Sequence, residues 1–142
     1  MPAALARPHT DAMVAALTDA GMLVGRGKKP DGAGWQGEPG QSEYASYIVL
    51  YPGPGTTDGD LCDPHEYLDY SCQLTTVAAT QDGAEAVMDI AKTALVGVRL
   101  DVTGRSAWPV YIDSDRPATR DDTVSPPVHY AVAVFRFRTG PA

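Results

Sequence analysis

The chain has 142 residues, 44% of them apolar, enough for one domain with its own core and too apolar for a disordered chain. A formal charge of -7 argues against direct, non-specific nucleic-acid binding, which calls for a basic patch, but not against a protein that lets DNA pass. The opening Met1-Pro2-Ala3-Ala4-Leu5-Ala6-Arg7-Pro8 has no apolar leader core, and no window approaches a membrane span, so the expectation is a protein made and assembled in the cytoplasm with no membrane partner.

Residues 1–8 are expected to form a loose, flexible tail. Thr10 can cap a first helix over residues 11–20, with Met13, Val14 and Leu17 on one face and Gly21 as its stop. Residues 25–41 hold Gly25, Gly27, Gly32, Gly34, Gly37 and Gly40 with Pro30 and Pro39, and read as a long loop carrying Lys28, Lys29 and Trp35. Tyr47-Ile48-Val49-Leu50-Tyr51 is a strand apolar on both faces. An acidic loop follows, with Asp58, Asp60, Asp63 and Glu66.

The best-defined stretch runs over residues 68–97. Leu68, Tyr70, Cys72, Leu74, Thr76 and Ala78 alternate with Asp69, Ser71, Gln73 and Thr75, the period-2 pattern of a half-buried strand. The spacing then turns helical, with Ala84, Val87, Met88, Ala91 and Leu95 on one face, Thr80 as N-cap and Gly97 as stop. Trp108-Pro109-Val110-Tyr111-Ile112 reads as an edge strand because of its proline, and residues 113–125 as a polar loop. Pro126-Pro127 launches a last strand over residues 128–138, with Val128, Tyr130, Val132 and Val134 on one face and Ala131, Ala133 and Phe135 on the other.

The predicted order is α-β-β-α-β-β, an α+β domain with a sheet of about four strands and two helices packed on one face. Two helices leave the second face of the doubly apolar strands uncovered. A hairpin from a long loop or another subunit could cover it, and the subunit is favoured, with Tyr130, Val132 and Val134 as candidate contacts.

Motifs for chemistry are absent. Gly27-Lys28-Lys29 fails as a phosphate loop because Met22 and Lys29 stand where glycine and a hydroxyl residue are needed. Gly40-Gln41-Ser42-Glu43-Tyr44 fails as a nucleophile elbow because Tyr44 replaces the closing glycine. Asp63-Pro64-His65-Glu66, with Cys62, His9 or His129, could in principle ligate a metal, but the spacing fits a polar turn better. His129 reads as a packed histidine. Cys62 and Cys72 match no metal or redox spacing and are expected to be reduced thiols. No cofactor, metal or catalytic residue is expected.

Three stretches carry a resemblance: Tyr47-Ile48-Val49-Leu50-Tyr51-Pro52; Asp58-Gly59-Asp60-Leu61 leading through Tyr70 to Thr80; and Arg120-Asp121-Asp122-Thr123-Val124-Ser125-Pro126-Pro127 followed by Tyr130-Ala131. In order and spacing, from about Pro8 to Thr139, the chain resembles the tail terminator (tail completion, or minor tail) proteins of long-tailed, non-contractile phages of actinobacteria. The resemblance implies a virion structural protein, a hexameric ring of itself that caps the tail tube protein, ends tube growth and docks the head-tail connector protein. It implies no catalytic residues. Double-stranded DNA would pass through the ring without specific binding, and acidic side chains near the bore would let it slide. The candidates are Asp113, Asp115, Asp121 and Asp122, with Asp58, Asp60 and Asp63 as the second choice. The alternatives are a head-to-tail connector or neck protein and, from another class, a small cytosolic enzyme or ligand-binding domain.

Overall fold

The computed structural model describes residues 4–59 and 61–142. Its elements are α1 (Ala6–Asp19), β1 (Leu23–Arg26), β2 (Gly34–Trp35), β3 (Tyr44–Ala45), β4 (Tyr47–Pro52), β5 (Thr56–Asp58), β6 (Tyr67–Ala78), α2 (Gln81–Leu95), β7 (Arg105–Ala107), β8 (Tyr111–Asp121) and β9 (Val128–Pro141). Seven strands form one mixed sheet in the order β1-β4-β6-β9-β7, with β5 also pairing with β6 and β8 with β9. Only β1 and β4 run parallel in it; β2 and β3 pair separately.

The fold is therefore mostly β, and the four-stranded α+β sheet with two helices on one face is not what forms. The missing strands are short. β1, β5 and β7 have three or four residues each, too few for a hydrophobic period, and exist because a long neighbour offers them backbone partners.

The centre is the antiparallel pair β6 and β9, in register from Leu68↔Thr139 to Ala78↔His129. Its inner face carries Leu68, Tyr70, Cys72, Leu74, Ala133, Phe135 and Phe137, all 2% exposed or less. Helix α2 lies over β6 and β9, and α1 over β1 and β6. They deliver Met13, Leu17, Ala84, Ala91 and Leu95 to the same core, all fully buried. Each larger apolar side chain removed from water contributes about 1.5–3 kcal/mol. Burial pushes the Cys72 thiol up to about 12, so it packs as a neutral side chain.

Helix α2 keeps its predicted cap: the Thr80 hydroxyl accepts from Gly83 N at 3.0 Å, and Gly97 follows the helix at φ +78°. Helix α1 starts five residues ahead of the predicted Asp11 and has no side-chain cap. Thr10 is buried instead, and its hydroxyl bonds Tyr70 Oη at 2.5 Å. Pro8 is tolerated because first-turn amides have no helical partner to lose.

Residues 25–41 are not wholly loop. Gly25 lies in β1, and a side chain there would put its Cβ 1.9 Å from the Lys28 carbonyl, so the chain can fold back only at glycine.

Candidate functional site

The sheet face turned away from the helices is built from alternate residues of three strands, β4, β6 and β9. Paired side chains point to the same side, so the registers place Tyr47, Val49 and Tyr51 of β4 with Val77, Thr75 and Gln73 of β6, and these with Tyr130, Val132 and Val134 of β9. The predicted contacts Tyr130, Val132 and Val134 thus share one face, each half-buried.

Part of that face is covered by the chain itself. Val49 and Val77 are 6% and 8% exposed, although they point away from the helices. Tyr44 of the small β2–β3 hairpin stacks 6.4 Å from Tyr47 on this side, and Trp35 meets Tyr44 edge-on at 4.9 Å. A Cβ on Gly40, in the loop between β2 and β3, would meet Pro126 at 3.5 Å. The hairpin alternative for covering this face is thus realised at one end. Beyond it, Gln73, Ser114, Asp115, Arg116, Val132 and Val134 line an open cleft of about 300 Å³.

The far end of the face carries arginines and aromatic rings that sequence reasoning did not single out. Arg136 lies 3.0 Å from Asp113 Oδ2, but its buried Nε–H has no aligned acceptor. Arg138 pairs with Asp58 at 3.2 Å and Asp69 at 3.4 Å, and its guanidinium lies 4.7 Å over the Tyr67 ring. Tyr67 meets Trp108 edge-on at 6.1 Å. Gly140 lies beneath them: a Cβ there would fall 2.7 Å from Tyr67 Cε1 and 3.4 Å from Trp108 Cζ3. The alternation of Arg136 and Arg138 with Phe135 and Phe137 was the available signal.

The acidic candidates are not in a loop. Asp113, Asp115 and Asp121 belong to β8, an edge strand bulged at two points, and Asp122 opens the turn after it. The predicted strand over residues 108–112 is displaced because Trp108 and Pro109 precede β8, while Val110 makes only an isolated bridge to Val96. Asp113 pairs with Arg136 and Asp122 with Arg120 at 2.6 Å. Asp121 accepts from the Thr123 hydroxyl at 2.6 Å and the Thr123 amide at 3.0 Å, which holds its carboxyl below the usual range. Asp115 makes no ion pair among the described residues. Of the second set, Asp58 pairs with Arg138, Asp63 Oδ1 accepts from the His65 amide at 3.4 Å, and Asp60 lies outside the described residues.

The candidate metal ligands are dispersed. His65 Nδ1 bonds the Thr57 hydroxyl at 2.8 Å, His9 is buried on the inner side of α1, and His129 lies near the start of β9 opposite Arg120. Among the described residues, no three His, Cys, Asp or Glu side chains converge on a point where a cation could bind. No described helix is long and apolar enough to cross a membrane.

Neither a protein-family model nor a curated protein matches the sequence. Among solved structures, a chain of the virion of a native gene transfer agent particle aligns over 93% of this chain and 87% of its own length, with 22% identity and a TM-score of 0.60. A second solved chain aligns over 94% of this chain and 96% of its own at 14% identity and a TM-score of 0.49, too distant for inference. The chain is thus similar in fold to a component of a gene transfer agent virion.

Proposed function

We propose that this chain is a virion structural protein of a phage-like particle, placed at the head-proximal end of the tail. There it caps the tail tube as a ring of copies of itself, ends tube polymerisation and offers the docking surface for the head connector. The observation that carries the reading is the likeness in fold to the gene transfer agent virion chain across nearly the whole length of both. The sequence resemblance to tail terminators supports the finer assignment, and no catalytic residue is part of it.

The uncovered sheet face around Val132 and Val134 is the proposed contact between copies, because apolar side chains there end in an open cleft rather than under the hairpin. The bore is proposed to be lined by the β8 edge and its turn. Asp113 and Asp122 are each offset by an arginine, and Arg116 on the same edge offsets one more carboxylate, so Asp115, Asp121 and Arg116 together leave about one unbalanced negative charge per copy (-2 + 1 = -1). That charge acts over about one Debye length, roughly 8 Å at physiological salt. Antibody-gold labelling of purified particles tests the placement. Label at the head–tail junction is expected; label along the tube, or none on particles, would contradict it.

A further inference from the structure

His9 is 1% exposed and lies between the rings of Tyr70 and Phe137, each 5.6 Å away by centroid. Its two nitrogens have different partners. Nδ1 lies 2.8 Å from the Leu5 carbonyl, which can only accept, so the ring proton is on Nδ1. Nε2 is then bare and accepts from the Thr139 hydroxyl at 2.5 Å. Thr139 Oγ1 in turn accepts from Arg105 Nε at 3.2 Å, and a second Arg105 nitrogen donates to the carbonyls of Glu66 at 2.7 Å and Thr139 at 3.2 Å. The result is a one-way chain of donors, Arg105 to Thr139 to His9 to Leu5, joining β7, β9 and the first turn of α1.

This chain has room for one ring proton. A second proton on His9 would turn Nε2 into a donor. Thr139 would then face donors on both sides, its own hydrogen would lose its acceptor, and an imidazolium would be buried one hydroxyl away from the Arg105 guanidinium. The other groups around the ring give it little help. Tyr70 of β6, pushed up to about 12 by burial, is neutral; Phe137 and Thr139 of β9 carry no charge. On α1 itself, Arg7 and Asp11 point to solvent. In the turn before β6, Asp63, His65 and Glu66 line the same cavity of about 370 Å³ as His9, Leu5, Pro8 and Arg105.

We propose that the Arg105–Thr139–His9 chain is a proton-operated latch: at neutral pH it holds the first turn of α1 against the last strand, and mild acidification releases that turn. Helix α1 has no side-chain cap and no acidic residue in its first turn; beside His9, the Thr10–Tyr70 hydrogen bond also ties its start to the sheet, and it is not titrated between pH 7.5 and 5. Burial first, then Arg105, keep His9 below its ordinary pKa of 6.5, against the pull of the Leu5 carbonyl. The sign follows: a group depressed in the folded state stabilises fully above its unfolded value, and that stabilisation fades as pH falls from about 6.5 through the lowered value.

Hydrogen exchange across pH 7.5 to 5, corrected for intrinsic rates, tests this. In the full-length protein, protection of the His9 to Ala12 amides, whose helical acceptors are the carbonyls of Leu5 to Pro8, is expected to fall at least tenfold more than that of α2. His9→Gln, which cannot titrate, should flatten this difference, and His65→Gln should leave it in place. Should His9→Gln not fold, Thr139→Val keeps the shape and removes the hydroxyl; it should leave the His9 to Ala12 amides poorly protected even at pH 7.5. NMR of the imidazole should find the Nδ1–H tautomer. Protection of the His9 to Ala12 amides that does not change with pH, the same pH response in His9→Gln, or an Nε2–H tautomer would each overturn the proposal.

Discussion

Adjacent residues of β9 point to opposite faces, so aspartate at neighbouring positions should separate assembly from folding. Val134 is half-buried on the face away from the helices, paired with Gln73 and two residues from Arg136 on the same side. In an isolated chain, Val134→Asp keeps its carboxylate wet and near a cation. Its cost is lost strand preference and some apolar area, about 1 kcal/mol. Sealed between two copies the same carboxylate loses its water. Stranding a charge in this way costs about 3–5 kcal/mol, or roughly 10²- to 10⁴-fold in association. Ala133, one residue back, is fully buried in register with Leu74 under the helices. Ala133→Asp should therefore unfold the chain. Thermal denaturation of the purified variants reads the first cost, and the fraction of protein incorporated into particles reads the second. The account predicts that Val132→Asp and Val134→Asp melt within a few degrees of the wild type yet fail to incorporate. Normal incorporation of both folded variants would remove this face from the contact between copies.

Gly140→Ala should destabilise by about 1–3 kcal/mol through overpacking, with a shift in Trp108 fluorescence, because its Cβ would meet Tyr67 at 2.7 Å; an unchanged melting temperature would contradict this. Thr80→Ala should cost about 1 kcal/mol by removing the cap on Gly83 N, measured by denaturant titration. Replacing Asp63, His65 and Glu66 with alanine should leave metal content and particle yield as in the wild type, read by elemental analysis and particle counts. In particles that still assemble, Asp121→Lys with Asp122→Lys should slow genome ejection in a salt-dependent way, and normal ejection would place these residues away from the bore.

The long periodic elements were legible. β4, β6, α2 and β9 form close to where the apolar pattern put them, β6 and α2 through their period and β4 and β9 as uninterrupted apolar runs. β8 was not, because its outward residues are charged and its pairing comes from the backbone of β9; charge and Pro117 on an open edge also discourage pairing with a stray strand. Thr10 misled for a different reason. Its type suits an N-cap, but burial against Tyr70 makes it an interior helical residue. The second face of β9 was legible as apolar, whereas the hairpin over part of it depends on Tyr44 meeting Tyr47, a contact with no period to announce it. The arginine partners of Asp58, Asp69 and Asp113 were hidden by distance along the chain: Arg138 meets Asp58 and Asp69 only once β5, β6 and β9 are in register.

Tail length shows whether this chain ends tail-tube growth. The gene would be deleted from the phage or phage-like element that carries it, and the tails formed would be measured by negative-stain imaging. Tails that overrun their usual length with a broad distribution and lack heads are expected, with both defects reversed by supplying the wild-type chain. Tails of normal, uniform length joined to heads would contradict it.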